Sequence, residues 1–222
     1  MKSIYKTLIT TTLILIFATG VTHAKIFSVS NSYCSVQTDS LSKAKRNEII
    51  QELDSILNID QKYRQISHSV RIEFGNESDT IKKLRKVISY SDSLNLKKVT
   101  EILDHYGWLG PDEIGYKGNR ALFFVIQHSN KSTMEKYLPM MKEAVTKGNA
   151  DADLLALLVD RIEFLNDRPQ IYGSQITLIE GKNVLYKTKD IKNVNTRRAE
   201  VGLGTLEEYL KESKVDFIMP DN

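Results

Sequence analysis

Between Leu41 and about Ser67 the chain contains no glycine or proline, and Ile49, Ile50, Leu53, Ile56 and Leu57 recur at helical spacing. That spacing returns an apolar side chain to one helix face every turn, so the stretch predicts a long amphipathic helix that other elements must cover. After a brief extended or turn segment at Val70 to Asn76, Thr80 to Tyr90 predicts a second helix. Leu96, Val99, Ile102, Leu103 and Tyr106 mark a third, which Gly107 and Pro111 end. Ala121 to Ile126 is apolar on every side and reads as a buried central helix capped by Asn119. Ser132-Thr133-Met134-Glu135 has the form of a capping box opening a helix that closes at Gly148, and a further helix runs from Leu154 to Leu165.

After Gly173 the pattern changes from helical to extended. Ile176 to Glu180 and Asn183 to Lys187 flank Gly181-Lys182, which predicts a β-hairpin with a two-residue turn. Thr205-Leu206-Glu207-Glu208 is a second capping box, starting a short helix through Leu210. The fold class is therefore mainly α: a single helical domain over residues 41–213 with one C-terminal β-hairpin near 174–188, α+β but α-dominated. Residues 214–222 form a tail.

The chain opens differently. Lys2 and Lys6 precede an apolar run from Leu8 to Ala18, and Thr22-His23-Ala24 supplies small residues before a cut, the pattern of a secretory signal peptide over residues 1–24. The run is shorter than the roughly 20 residues of a membrane span, and no later segment approaches that length. The expectation is an exported, water-soluble protein, periplasmic or secreted, with a flexible leader at 25–40 and no integral membrane segment after cleavage. Losing Lys2 and Lys6 lowers the formal charge of +3 by two, which leaves no overall basic bias toward nucleic acid. Cys34 is the single cysteine, so no internal disulfide is available, and Tyr33 before it does not fit a lipoprotein signal.

Charged residues inside apolar stripes carry the functional signal. With Ile49 as zero and about 100° per residue, Asp60 and Arg64 fall at about 20° and 60°, among the leucines. Arg161 falls within the stripe of Leu154, Leu158 and Leu165, with Asp160 at its border. Asp92 and Asn95 join the stripe of Leu96 and Val99 if that helix extends back one turn. An unpaired buried charge costs several kcal/mol, roughly a large share of a domain's net stability, so such residues must find each other. Asp60 and Asp92 balance Arg64 and Arg161 in a polar pocket between helices. The bland alternative is a surface pair at Asp60 and Arg64, which a helix ending near Ile59 would produce.

Asp160 to Gln175 joins the last apolar helix to a turn holding Gln170, Tyr172 and Gln175 around Pro169 and Gly173, denser in polar groups than a connection requires. His128, after the apolar run, reads as a capping or core histidine or as a general base. His23, His68, His105 and His128 have no paired metal spacing, so no metal is expected. Gly115-Tyr116-Lys117-Gly118 lacks a phosphate-loop pattern and reads as a plain turn, and no cofactor motif is present. Arg197-Arg198 reads as a solvated or structurally paired couple.

The order of Asp60-Gln61 with Arg64, then Asn95, Gly107-Trp108, Gln127-His128, Asp160-Arg161, Pro169-Gln170-Ile171-Tyr172-Gly173-Ser174-Gln175 and Asn195 with Arg197-Arg198 resembles an uncharacterised bacterial domain family of unknown function. The resemblance spans about Leu53 to Leu210. Its most specific element is Gln-x-Tyr-Gly-(Thr/Ser)-Gln, with departures at Ser174 and Leu109. It implies a shared site and no particular reaction. Three classes follow. In a hydrolase, His128 is the general base, Asp60 or Asp92 orients it, and Arg64, Asn95, Arg161, Gln170, Tyr172 and Gln175 hold a small polar ligand or peptide. In a binding module the same pocket acts without catalysis. In a structural module the polar set only fixes helix packing.

Overall fold

The computed structural model describes residues 41–179 and 182–215. The expected signal peptide, the leader and the end of the tail lie outside the described residues. Helix α1 spans Lys43–Phe74 and α2 spans Asp79–Tyr106, each capped by a serine, Ser42 and Ser78, whose hydroxyl accepts a main-chain N–H. Two expectations are corrected here. The segment at Val70 to Asn76 continues α1 to Phe74, and the two helices expected between Thr80 and Tyr106 are one 28-residue helix. No glycine or proline interrupts Ser91 to Asn95, and the polar residues Asp92, Ser93 and Asn95 line a cavity instead.

Helix α3 spans Pro111–Gln127 and lies against α1 and α2. It contains the apolar run, with Ala121, Leu122, Phe123 and Ile126 at most 1% exposed. Its backbone departs from helical geometry at Gly115, where φ is 70°. The supposed Gly115 to Gly118 turn is therefore a kink within α3, and Asn119 is an interior residue rather than a cap. The Asn119 amide, 2% exposed, donates to the carbonyls of Leu109 and Asn149 at 2.8 and 2.7 Å, binding the loops at either end of the α3–α4 unit. Helix α4 spans Lys131–Thr146, and its cap is Asn130, two residues before the expected Ser132: the Asn130 side chain accepts from the Thr133 N–H at 2.9 Å. Helix α5, Ala152–Leu165, packs on α4. Trp108 and apolar residues from all five helices make one continuous core.

The C-terminal part has its own small core, Val194, Leu206, Leu210 and Val215. Strands β1 (Ile176–Ile179) and β2 (Lys182–Leu185) are antiparallel, pairing Ile176 with Leu185 and Ile179 with Lys182. Lys182 thus belongs to the strand rather than to the expected Gly181-Lys182 turn. Helix α6 (Val194–Glu200) follows a 3-10 turn, and α7 (Leu206–Glu212) starts at the expected Thr205 capping box.

What joins this part to α5 is Asp160, expected at the stripe border and found 0% exposed. Its carboxylate accepts the N–H groups of Ile171, Tyr172 and Ser174 at 2.7, 3.0 and 2.9 Å. Gln170, also 0% exposed, closes the turn: its Nε2 donates to the Gln175 and Tyr186 carbonyls and its Oε1 accepts the Gln175 N–H. Arg198 donates to the Tyr172 and Gly204 carbonyls, and Arg197 to that of Ile171, so this couple is structurally paired. Gly173 needs its missing side chain, since φ is +75° and a Cβ would lie 2.8 Å from Leu206 Cδ1.

Charge-assisted bonds to a carboxylate that water does not reach are among the stronger polar contacts in a fold. Asp160→Asn removes the charge and turns one acceptor oxygen into a donor facing main-chain N–H groups. Chemical denaturation should show a loss of about 2–4 kcal/mol. A loss within about 0.5 kcal/mol, the range of an ordinary surface substitution, would contradict this account of the turn.

Candidate functional site

A cavity of about 540 Å³ opens between the C-terminal half of α1, the middle of α2 and the end of α3. Asp60 and Arg64 reach it from successive turns of α1, Asp92, Asn95 and Leu96 from α2, and Val125, His128 and Ser129 from α3 and its end. Because α1 runs on to Phe74, the surface-pair alternative for Asp60 and Arg64 does not apply; Asp60 is 4% exposed. One guanidinium nitrogen, Arg64 Nη2, lies 3.0 Å from Asp60 Oδ1 and 2.9 and 3.0 Å from the two oxygens of Asp92. Arg64 therefore holds two carboxylates from different helices. Gln61 Nε2 donates to the other Asp60 oxygen at 2.8 Å.

His128 caps the C-terminus of α3, its N–H bonded to the Phe124 carbonyl and its ring stacked on the Phe124 ring one turn earlier. That fixes the imidazole with Nδ1 3.0 Å from Asp60 Oδ1 and 3.1 Å from Arg64 Nε. The two contacts are exclusive hydrogen bonds. Nδ1 must carry a proton to donate to Asp60 and a lone pair to accept from Arg64. Among the described residues Nε2 bonds to no protein group. Burial alone would raise the Asp60 carboxyl, but the hydrogen bond and charge of His128, together with Arg64, outweigh it and hold the group below the usual value of 3.8.

Asn95 adds an anomaly. It lines the cavity, is 6% exposed, and its Nδ2 has no hydrogen-bond partner. The other expected site residues lie elsewhere. Arg161 makes no ion pair with Asp60 or Asp92, which corrects the expected balance of two acids and two arginines, and its buried Nε has no partner. Burial lowers its guanidinium, the Tyr209 phenol offsets part of that, and Arg64 adds to the lowering. Gln170, Tyr172 and Gln175 are outside the lining of this cavity. The main-chain groups of Tyr172 are bonded to Asp160 and Arg198, and the Gln175 side chain donates to Ser174 Oγ at 2.9 Å.

Residues the sequence reading missed include Ser67, Arg71, Arg85, Ser89 and Ser93. The signal was available in part: Arg64, Ser67 and Arg71 share one face at intervals of three and four, as do Arg85, Ser89 and Asp92. A family described as a family of unknown function, DUF6624, matches residues 47–217. The chain belongs to the DUF6624 family. The expectation of an uncharacterised domain family is thereby met. The matched span of this DUF6624 protein includes the whole cavity lining and the Asp160 turn. No curated protein and no solved structure matches the chain.

The depressed Asp60 carboxyl has a definite pH signature. A group that ionises lower in the folded state stabilises the fold fully above its unfolded value, and that stabilisation disappears as pH falls through the lower folded value. Stability of the wild type should therefore fall more steeply than that of Asp60→Asn as pH drops below about 4. Denaturation at stepwise pH measures both slopes; parallel slopes would mean that Asp60 gains nothing from Arg64 and His128.

Proposed function

We propose that this cavity binds a small polar ligand and that the protein is a hydrolase in which His128, oriented by Asp60, is the general base. The observation that carries the reading is the 3.0 Å contact between His128 Nδ1 and a buried Asp60 oxygen. A proton on Nδ1, donated to the carboxylate, leaves the Nε2 lone pair free to take a proton from an attacking water. Asp60 then stabilises the imidazolium that forms. Arg64 Nη1 makes no bond to a protein group among the described residues, so it is available to a ligand oxygen beside Asn95. Asp92 fixes Arg64 in place. Gln170 and Gln175 support the site from a distance, as parts of the turn that Asp160 holds.

The signal-peptide pattern of Lys2, Lys6, Leu8 to Ala18 and Thr22-His23-Ala24 supports an exported protein acting in the periplasm or outside the cell. No described helix is long and apolar enough to cross a membrane.

One observation favours a second reading. Arg64 Nε faces the same Nδ1 at 3.1 Å. If Nδ1 accepts from Arg64, Nε2 carries the proton and becomes a donor that recognises a ligand without catalysing anything. Hydrolysis assays on panels of small polar esters, amides and glycosides separate the two. His128→Gln should lower the rate by about 100-fold or more, the scale of lost general-base catalysis, with a thermal midpoint close to wild type. A wild type that binds such compounds and hydrolyses none of them supports the binding module, and unfolding of His128→Gln would make the histidine scaffolding.

A further inference from the structure

Three arginines line the cavity, and among the described residues only Arg64 is ion-paired to carboxylates. Arg71 lies seven residues after Arg64 on α1, and Arg85 seven residues before Asp92 on α2. Because α1 and α2 pack as an antiparallel pair and Arg64 meets Asp92, equal steps along each helix bring Arg71 level with Arg85. That level is about 10 Å from the Arg64–Asp92 contact. Neither Arg71 nor Arg85 is in an ion pair among the described residues. Arg71 Nε donates to the carbonyl of Ser67 at 3.3 Å, and Arg85 Nη2 to that of Asn76 at 3.0 Å, which leaves most of both forks unused. The cavity therefore carries two carboxylates paired to Arg64 at its α3 end and two arginines without a carboxylate partner at the other end.

Two cavity-lining guanidinium groups without a carboxylate partner give that end of the cavity a positive potential that attracts an anion. Arginine forks match the oxygens of phosphate, and two of them supply the charge that a dianion needs. The buried Asn95 amide with its unpartnered nitrogen provides polar recognition at the α3 end. We propose that Arg71 and Arg85 bind the phosphate dianion of a small phosphorylated ligand, whose uncharged polar body reaches Asn95, Arg64 and His128. The inference rests on the cavity being the ligand site. The phosphate is a handle rather than the reacting group, because its binding level is about two helical turns from Arg64 and about three from Asp60, the partners of His128.

Isothermal titration of the full chain with glycerol phosphate, inorganic phosphate, glycerol and acetate tests this, using the wild type, Arg71→Gln/Arg85→Gln and His128→Gln. Both phosphates should bind the wild type saturably, and the double arginine variant should weaken them at least about tenfold. Glycerol and acetate should show no saturable binding. His128→Gln should leave affinity for inorganic phosphate unchanged. Arg71 and Arg85 are exposed, so circular dichroism should show the double variant folded, and Arg71→Lys/Arg85→Lys should recover part of the binding. Unchanged phosphate affinity in the double glutamine variant, or no saturable phosphate binding by the wild type, would overturn the proposal. Acetate binding as strong as phosphate would overturn the phosphate class. If phosphate binding fails while His128→Gln still abolishes hydrolysis, the anion handle falls and the catalytic reading stands; phosphate binding with no hydrolysis gives the reverse.

Discussion

The carboxylate of Asp160 holds three main-chain N–H groups where water does not reach, and the arrangement of the C-terminal part depends on it. A carboxylate buried without partners would cost several kcal/mol, and a turn with three unpaired N–H groups would be costly as well, so each compensates the other. With the turn fixed, Gln170 can bridge Gln175 and Tyr186, and the hairpin has one register. Arg197 and Arg198 then satisfy carbonyls on the opposite side of the same turn. The polar density between Asp160 and Gln175 is thus explained by main-chain bonding.

Asp60 shows what the same residue type does with different partners. Asp160 is bound by backbone groups, which do not titrate or move away. Asp60 is bound by Arg64, Gln61 and His128, all side chains, and two of them line an open cavity. The first arrangement can only hold a turn. The second can orient an imidazole, and its charge balance changes when a proton or a ligand arrives. Burial is equal in the two cases to within a few per cent, so accessibility to water does not separate scaffold from site; the identity of the partners does.

Most of the helical frame was legible because apolar spacing reports the core directly, as Ile49, Leu53 and Ile56 illustrate. The inward phase of Asp60 was legible for the same reason. Boundaries failed where a polar residue had two uses. Asn119 looks like a cap but binds two loops from inside a helix, and the stretch Ser91 to Asn95 looks like a break because Asp92, Ser93 and Asn95 line a cavity. Arg161 failed differently: phase correctly put it toward the interior, but phase carries no information on which carboxylate is within reach. Asp160, its neighbour, was taken by the turn. Pairings across helices, such as Arg64 with Asp92 or His128 with Asp60, depend on helix packing angles and relative height, and one helix's periodicity contains neither.

The proposed mechanism requires Asp60 to set the proton on the His128 ring. Long-range proton–nitrogen correlation spectra of a nitrogen-15 histidine-labelled sample, recorded where the imidazole is neutral, read this directly. Asp60 as the orienting group gives a protonated, hydrogen-bonded Nδ1 and an unprotonated Nε2 for His128, reverting to the Nε2–H form in Asp60→Asn. A wild-type ring with its proton on Nε2 and Nδ1 accepting from Arg64 would contradict it.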